Sequence, residues 1–276
     1  MTHAAVIGWP IEHSRSPLIH GHWLRIYGID GSYTKIAVRP EDVTAFVRSL
    51  VERGLAGCNV TLPHKEAVFQ AADVREASAE AVGAANTLWL EDGQLFAANT
   101  DTYGFMRHLD VSAPAWRQKD RPTLLLGAGG AARGIVYGLL EAGVGEVRVA
   151  NRTLARAEEI AVHFGRRVKA VAWVDAEAAA RDAGLLVNTT SLGMAKTGPL
   201  DFNVTRLPAD ATVADIVYVP LETDLLRRAR ARDLATVDGL GMLLHQAVPG
   251  FAKWFGVTPE VTAELRDILV ADIEGR

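Results

Sequence analysis

The sequence of 276 residues holds a single cysteine, Cys58, which excludes an internal disulfide and fits a reducing compartment. It holds no apolar run that approaches the roughly 20 residues needed to span a bilayer. Its first residues lack a basic stretch followed by an apolar one, so we predict no signal peptide and expect a cytoplasmic protein. An excess of positive charge is absent as well, since 29 Lys and Arg against 33 Asp and Glu give a net charge of −4. This balance disfavours a general nucleic-acid or membrane-surface binder, which would be basic.

The residues that usually hold metals or act as nucleophiles are not clustered either. His20 and His22 lie two positions apart, so on a helix their side chains point in different directions. The sequence has no other grouping of His, Cys and carboxylates at ligand spacing, and no serine-nucleophile motif. We therefore predict no metal site.

What the sequence does contain is the composition of a globular protein, with 49% hydrophobic and 22% charged residues over a length that favours two domains. Asp92-Gly93, between two apolar segments, is a strong hairpin signal. In this first part we predict strands over 4–8, 32–38, 57–62, 86–90 and 94–98, and helices over 17–27 and 40–53 and from Pro63 onward. The alternation predicts an open α/β sheet.

From Pro122 onward, strands and helices alternate in the pattern of a doubly wound Rossmann sheet. The predicted strands cover 123–127, 146–150, 168–172, 184–188 and 211–217, and the predicted helices cover 130–142, 153–164 and 176–182. Residues 111–121 are polar and contain Pro114, so a surface connection is predicted there. Helices predicted over 239–255 and 259–273 are expected to return to the first part. The expected plan is a substrate domain, 1–103 completed by 244–276, and a cofactor-binding Rossmann domain, 104–243.

A glycine turn stands between the first strand and the first helix of the Rossmann domain. Gly127, Gly129 and Ala132 form the pattern G-x-G-x-x-A, which gives a tight turn, close backbone approach to a pyrophosphate and close helix packing. The next strand ends in Arg152, with Arg156 one turn later, where NAD-binding proteins usually carry an acidic residue. Two cations favour the 2′-phosphate of NADP over NAD. The alternative is a glycine-rich turn with ordinary surface arginines.

Nicotinamide chemistry requires a proton carrier from the protein, because the cofactor moves only the hydride. Lys65 lies in the first turn of a predicted helix, where the helix dipole disfavours a cation; the alternative is a solvated surface lysine. Asp101, at the end of the segment Asn99-Thr100-Asp101, is a candidate partner that would anchor the ammonium; the alternative is that this segment forms a helix cap or Asx turn. Asn86 stands where it could reach a substrate hydroxyl, or where a turn residue is expected.

Two hydroxyls, Ser14 and Ser16, precede Pro17 at the predicted start of the first helix. Hydroxyls at this position are ordinary helix caps. Together with the helix dipole they also suit a carboxylate, so both interpretations stay open.

Taken together and in order, these segments resemble shikimate dehydrogenases, enzymes of aromatic amino-acid biosynthesis, over nearly the whole chain. The matching segments are 8–17, 59–65, 83–87, 99–101, 127–133, 151–153, 188–194, 215–220 and 239–247. One such match is weak, whereas this many in register are highly specific. The resemblance implies reversible reduction of 3-dehydroshikimate to shikimate with NADPH. We expect a monomer or homodimer, and from the charge and hydropathy we expect no nucleic-acid or membrane partner.

The resemblance also implies roles for individual residues. Lys65 is the acid–base group and Asp101 its partner; Ser14 and Ser16 hold the substrate carboxylate. The substrate hydroxyls are held by Thr61, Asn86, Asp101 and Gln246, with Tyr218 nearby. The pyrophosphate is cradled by Gly127, Ala128, Gly129, Gly130 and Ala131, and the 2′-phosphate is held by Asn151, Arg152, Thr153 and Arg156. The nicotinamide side is lined by Thr189, Ser191, Met194, Val217, Gly239 and Met242.

Two positions bear on how closely the chain follows the family. Gly21 stands where the family usually has Asn, and Ser16 stands where quinate-using relatives tend to carry Thr, which favours shikimate. Three alternatives remain: a quinate/shikimate dehydrogenase that prefers NAD, a non-catalytic NADPH-binding regulator, and a dehydrogenase for another hydroxy acid. Arg152 and Arg156 disfavour the first, and the intact Lys65 and Asp101 disfavour the second.

Overall fold

The structure is a computed structural model that describes residues 1–117, 120–195 and 197–275. Its strands are β1 (Thr2–Gly8), β2 (Gly31–Ala37), β3 (Leu55–Val60), β4 (Val74–Arg75), β5 (Thr87–Glu91), β6 (Gln94–Ala98), β7 (Thr123–Leu126), β8 (Val147–Asn151), β9 (Val168–Ala172), β10 (Leu185–Asn188), β11 (Thr212–Asp215) and β12 (Ala235–Val237). Its helices are α1 (Ser16–Ile26), α2 (Val43–Arg48), α3 (Lys65–Ala71), α4 (Ala77–Val82), α5 (Thr100–Ser112), α6 (Gly130–Glu141), α7 (Leu154–Phe164), α8 (Ala176–Ala179), α9 (Asp224–Arg230), α10 (Gly239–Phe255) and α11 (Ala263–Glu274). Within these described residues, no helix is both long and apolar enough to cross a membrane.

The chain divides into two compact units. The first unit comprises Met1–Asp101 and Leu244–Arg276, and the second comprises Thr102–Leu243. The chain passes from one unit to the other inside α5 and again inside α10. The first unit is therefore built from two separate stretches of sequence.

The first unit contains a mixed sheet in the order β2-β1-β3-β5-β6-β4. The first strand pairs in parallel with β2 and β3, whereas the hairpin strands β5 and β6 pair antiparallel with each other, and β5 also with β3. Helix α10 packs Trp254 against this sheet, where its indole Nε1 donates to the Leu88 carbonyl at 2.9 Å. A Cβ on Gly57 would lie 2.2 Å from the same indole nitrogen, so the neighbouring strand admits only glycine there.

The second unit contains an all-parallel sheet in the order β12-β11-β10-β7-β8-β9. Read in the chain order of this unit, the arrangement is the doubly wound order in which the chain starts in the middle and winds outward in both directions. Every residue of β7, β10 and β11 is buried, as expected for strands covered on both faces. The two sheets confirm the predicted α/β class with a Rossmann domain.

Several elements differ from the sequence prediction. The helix predicted over 40–53 is a 3₁₀ turn, Pro40–Asp42, followed by the short α2, because the Ser49 hydroxyl bonds the Ala45 and Phe46 carbonyls and ends it. The last helix begins at Ala263 rather than 259, where Thr262 Oγ1 caps the Leu265 N–H. Elements α4, α9, β4 and β12 were not predicted, and α8 is shorter than predicted.

The predicted surface connection over 111–121 is wrong in part. Helix α5 continues to Ser112, and a 3₁₀ turn follows at Pro114–Trp116. Trp116 is only 2% exposed and donates through Nε1 to Asp110 Oδ1 at 2.7 Å. A tryptophan buries a large apolar surface, and this one joins the core of the second unit instead of leaving the connection in solvent. Residues 118 and 119 of the predicted connection lie outside the described residues.

Candidate active site

Lys65 stands at the first position of α3, directly after a turn that follows β3. The turn is closed by His64, whose N–H donates to the Thr61 carbonyl at 3.1 Å and whose ring Nε2 lies 2.8 Å from the Val38 carbonyl. His64 is 1% exposed, so these two contacts hold the start of the helix from the buried side. Lys65 is left with its side chain 28% exposed.

The ammonium of Lys65 lies 2.6 Å from Asp101 Oδ2. Asp101 is in the first turn of α5, where the Asn99 side chain accepts its backbone N–H at 3.2 Å. The Asx turn considered from the sequence therefore exists alongside the ion pair. Sequence reasoning expected these two side chains to meet, and they do; their catalytic roles stay predictions. An ammonium has three N–H donors, and within the described residues only Asp101 accepts one, so two remain for a ligand.

Asn86 holds the second oxygen of the Asp101 carboxylate. Its Nδ2 donates to Asp101 Oδ1 at 2.9 Å and approaches Gln246 Oε1 at 3.4 Å. Its Oδ1 accepts the Thr100 N–H at 2.7 Å. Asn86 is 3% exposed and is therefore far more constrained than an ordinary turn residue. The first unit thus gathers Lys65, Asp101, Asn86 and Gln246 into one cluster.

The two serines expected to hold a carboxylate lie together at the start of α1. Ser14 Oγ accepts the Ser16 N–H at 3.4 Å, and Ser16 is 7% exposed. Thr61 is half-buried beside the end of β1, where a Cβ on Gly8 would lie 2.6 Å from its methyl group. In the described part of the chain, neither serine bonds directly to Lys65 or Asp101. Their substrate roles, and that of Tyr218 in the second unit, stay predictions.

The glycine turn of the second unit has two parts with different packing. Gly127 has a φ of +106°, and a Cβ on it would lie 2.7 Å from Thr189 Oγ1, so both backbone angle and space require glycine. Gly129 and Gly130 are exposed, and a Cβ on either would meet no heavy atom within 4 Å. Helix α6 begins at Gly130 and directs its first-turn N–H groups into this open space. The absence of side chains leaves room for a pyrophosphate against the helix N-terminus, so these residues fit the predicted cofactor.

The residues expected at the 2′-phosphate follow β8. Asn151 Nδ2 donates to the Thr153 carbonyl at 2.8 Å, which shapes the turn into α7. Arg152, Thr153 and Arg156 are exposed. Within residues 1–117, 120–195 and 197–275, neither Arg152 nor Arg156 forms a salt bridge, so both guanidinium groups are available to an anion.

Sequence reasoning missed a buried polar group beneath the residues expected at the nicotinamide. Asp215 is 1% exposed and accepts from Asn188 Nδ2 at 2.9 Å, from the Val217 N–H at 3.0 Å and from Thr223 Oγ1 at 2.7 Å. Burial raises the pKa of Asp215 to about 6, against the lowering effect of these donors. Asn188 Oδ1 also accepts from the Thr190 N–H at 3.0 Å. Asp215 and Asn188 therefore tie together the loops after β10 and β11.

Six residues were predicted to line the nicotinamide side, and all six belong to the second unit. Thr189, Ser191 and Met194 follow β10, Val217 follows β11, and Gly239 and Met242 lie in the first turn of α10. Thr189 Oγ1 donates to the Leu126 carbonyl at 2.8 Å, and Met194 is 45% exposed. Their contact with a cofactor stays a prediction.

The two histidines considered for metal binding are both buried, at 0% and 3% exposure. His20 stacks on Tyr33 with 3.9 Å between ring centroids, and burial lowers its pKa to about 3. His22 Nδ1 lies 3.1 Å from the Arg25 guanidinium. Within the described residues, no group of three His, Cys, Asp or Glu side chains is placed to hold a metal.

Comparison with known proteins decides the family. Residues 6–88 match the family model of the shikimate dehydrogenase substrate binding domain, and 112–196 match that of shikimate / quinate 5-dehydrogenase. Residues 239–263 match the shikimate 5′-dehydrogenase C-terminal domain. The shikimate dehydrogenase (NADP(+)) of Azorhizobium caulinodans is 55% identical over 276 residues, covering 100% of this chain and 98% of that protein. The chain belongs to the shikimate dehydrogenase family. The enzyme of the same name from Brucella abortus is 56% identical over 275 residues, covering 98% of this chain and 94% of that protein.

Solved structures agree over the same length. Shikimate 5-dehydrogenase from Thermus thermophilus, in complex with NADP(H) and shikimate, is similar at a TM-score of 0.86 and 36% identity, covering 99% of this chain and 100% of its own. Quinate dehydrogenase from Corynebacterium glutamicum, in complex with NAD, is similar at a TM-score of 0.89 and 31% identity, covering 98% and 99%. These two similar structures are thus named for different substrates and contain different cofactors, NADP(H) in one and NAD in the other.

Proposed function

We propose that the chain catalyses the reversible, NADPH-dependent reduction of 3-dehydroshikimate to shikimate, a CH–OH oxidoreductase reaction of aromatic amino-acid biosynthesis. The observation that carries this proposal is the Lys65–Asp101 ion pair at 2.6 Å, held by Asn86 inside the unit that matches the family's substrate-binding domain. Family membership at 55% identity over the whole chain supports the same activity.

The proton in this reaction comes from Lys65. When bound, NADPH supplies a hydride to the C3 carbonyl carbon of the substrate. The Lys65 ammonium gives one proton to the carbonyl oxygen, which becomes the alcohol, and the resulting amine recovers a proton from solvent. Asp101 keeps Nζ in place throughout, because its other oxygen is fixed by Asn86. In the oxidation of shikimate, the neutral amine of Lys65, formed by loss of a proton to solvent, takes the hydroxyl proton instead.

The remaining polar residues of the first unit orient the substrate. Ser14 and Ser16 bind its carboxylate, where two hydroxyls and the start of α1 offer donors and the positive end of a helix dipole. Thr61, Asn86, Asp101 and Gln246 bind its ring hydroxyls. A substrate analogue that lacks one of these hydroxyls leaves buried polar groups of the protein unpaired. This cost is the basis of discrimination between similar hydroxy acids.

The second unit holds NADP. The backbone from Gly127 to Ala131 binds the pyrophosphate at the start of α6. Asn151, Arg152, Thr153 and Arg156 bind the 2′-phosphate. Both guanidinium groups are exposed and form no salt bridge with any residue that the structure describes, which supports this role. The nicotinamide side is lined by Thr189, Ser191, Met194, Val217, Gly239 and Met242.

Initial rates with four pairings, shikimate or quinate with NADP or NAD, test the proposal. We expect the highest kcat/KM for shikimate with NADP. Higher values for quinate or for NAD favour the second candidate, a quinate/shikimate dehydrogenase, which the similarity to the quinate dehydrogenase of Corynebacterium glutamicum supports. Binding of both ligands without turnover would show a regulator instead. Turnover of neither substrate would point to another hydroxy acid.

The setting of this reaction is also part of the proposal. The single cysteine, Cys58, is buried and free, which suits a reducing compartment such as the cytoplasm. We expect a monomer or a homodimer, which sedimentation of the purified protein distinguishes. Fractionation of cells that express the full chain tests the compartment.

A further inference from the structure

A buried polar chain lies beneath the candidate active site and has no assigned role. It consists of Tyr33 on β2, Asn59 on β3 and Thr87 on β5, which are 7%, 4% and 1% exposed. Buried polar side chains cost free energy unless they are hydrogen-bonded. The direction of each hydrogen bond follows from the donors and acceptors that the side chains carry.

Asn59 has only one consistent orientation. The Tyr33 hydroxyl donates to Asn59 Oδ1 at 2.6 Å. Both hydrogens of Asn59 Nδ2 are then used, one on the Asn86 carbonyl at 3.2 Å and one on Thr87 Oγ1 at 3.0 Å. Burial and the neighbouring Cys58 raise the pKa of Tyr33 well above its ordinary value, against a hydrogen bond with Ser16, so the phenol keeps the proton that it donates.

Thr87 connects the oriented Asn59 to Asn86 in the candidate active site. Because its oxygen accepts from Asn59, its own proton is free to donate to Asn86 Oδ1 at 3.1 Å. The Thr100 hydroxyl lies 3.0 Å from the Thr87 hydroxyl and 3.1 Å from Asn86 Oδ1. The two hydroxyls are therefore both placed as hydrogen-bond donors to Asn86 Oδ1. A carbonyl oxygen surrounded by donors cannot exchange places with the amide nitrogen. The Asn86 nitrogen therefore points at Asp101.

We propose that Thr87 is a positioning residue for the acid–base pair: its hydroxyl, oriented by Asn59 and Tyr33, fixes the Asn86 amide that holds Asp101 against Lys65. This inference rests on the proposed function, because it concerns the geometry of that reaction. Thr87 itself touches neither Lys65 nor Asp101 in the described contacts. Its effect is transmitted entirely through Asn86.

The competing explanation is that the Thr87 hydroxyl only satisfies a buried Asn59 donor. A purely structural role would lower the stability of the fold and leave the turnover of the folded enzyme unchanged. A positioning role would lower kcat, leave cofactor binding unchanged, and be restored by any side chain that returns the hydroxyl.

The decisive variants are Thr87→Val, which removes the hydroxyl at nearly constant shape, and Thr87→Ser, which retains it. For Thr87→Val we expect kcat for shikimate oxidation to fall about tenfold. A mutation far from the chemistry that misplaces a reacting group can lower the rate by up to about 100-fold. The fall is partial because the Thr100 N–H still donates to Asn86 Oδ1. KM for NADP should stay within about twofold, and Thr87→Ser should recover most of the lost kcat. Thr212→Val, a buried threonine in the second unit, is the matched control.

Tyr33→Phe tests the far end of the chain should Thr87→Val fold poorly. Phenylalanine keeps the stack on His20 and removes the donor to Asn59, together with the hydrogen bond with Ser16. Because Thr87 keeps its own hydroxyl in this variant, we expect a smaller fall in kcat. Circular dichroism and thermal unfolding report folding independently of turnover. Unchanged kcat in folded Thr87→Val, or equal losses in Thr87→Val and Thr87→Ser, overturns the inference. A wild-type chain that does not oxidise shikimate overturns the proposed function instead.

Discussion

The two units form their candidate sites from different parts of the chain, side chains in the first unit and backbone in the second. In the first unit, long side chains converge, and Lys65, Asp101 and Asn86 hold one another at 2.6–2.9 Å. In the second unit, the pyrophosphate position consists of backbone and of missing side chains, at Gly129 and Gly130. Transfer of a proton requires a particular group at a particular atom, whereas binding a phosphate requires N–H groups, space and positive charge. Activity should therefore be lowered at the first site by the loss of functional groups, and at the second site by added bulk or removed charge.

The largest expected effect is in the first unit. Lys65→Ala should lower kcat at least about 100-fold, because general acid–base catalysis contributes about 10²–10⁴-fold. KM for NADP should change by less than about twofold, since the cofactor belongs to the other site. Steady-state kinetics with Lys169→Ala as an exposed-lysine control measure both constants. Near-normal turnover in Lys65→Ala would remove this lysine from the mechanism.

The next effect concerns stability and shows whether the second unit also depends on a buried side chain. The pKa of Asp215 is about 6 in the folded protein against 3.8 for the ordinary group, so the folded state binds more protons between about pH 4 and pH 6. The contribution of Asp215 to stability therefore falls as pH rises through this window, by about 3 kcal/mol at most.

Asp215→Asn removes this dependence and keeps the shape. The free energy of unfolding of the variant minus that of wild type should be larger at pH 7 than at pH 4, as measured by urea unfolding at both values. Asp210→Asn is the control of opposite sign, because its hydrogen bond with Arg121 lowers the pKa of Asp210. The stability that this pair contributes is present at neutral pH and is lost as pH falls through the folded pKa. A pH-independent difference for Asp215→Asn would contradict the prediction.

Removed charge should affect NADP and spare NAD. Arg152→Gln should raise KM for NADP about tenfold or more, because a hydrogen bond to a charged group contributes about 1.5–3 kcal/mol. KM for NAD, which lacks the 2′-phosphate, should change little. Arg166→Ala, an exposed arginine outside the predicted site, is the matched control. Equal losses with both cofactors would mean that Arg152 does not read the 2′-phosphate.

The smallest effect sharpens the contrast between side chains and backbone. Gly129 has φ −95° and ψ −172°, which an alanine adopts without strain, and its Cβ would meet no atom of the protein. Gly129→Ala should leave the unfolding temperature without cofactor unchanged and raise KM for NADP severalfold, because the methyl group occupies space needed by the pyrophosphate. Gly21→Ala, also in open space, is the control for KM. Loss of stability without a change in KM would contradict the space argument.

The sequence predicted the parts of the molecule that follow local rules. Strand–turn–helix patterns gave β7 and α6 around Gly127 to within about one residue. This prediction succeeds because periodicity and glycine conformation act over short distances. The contact between Lys65 and Asp101 joins positions 36 apart, and it was expected from their opposite charges and from the family resemblance, not from a local rule.

The supporting residues could not be predicted in the same way. Thr87 in a strand matches ordinary β propensity, and nothing nearby in sequence reveals that Asn59, 28 residues earlier, donates to it. Asp215 is an acidic residue at a strand end until the fold buries it beneath Thr223. Trp116 looked like part of a polar connection because its contacts lie in the core of the second unit. Each of these roles depends on long-range packing.

The indole of Trp254 against Gly57 has a consequence for synthesis of the chain. The indole bonds the Leu88 carbonyl from 166 positions further along, so this contact with the sheet of the first unit forms only after residue 254 has been translated. A nascent polypeptide interrupted at Leu243 carries the whole second unit and lacks α11 and most of α10. On the ribosome, all residues of the second unit are therefore present before the first unit, which contains Lys65, has the residues after 243 that complete it.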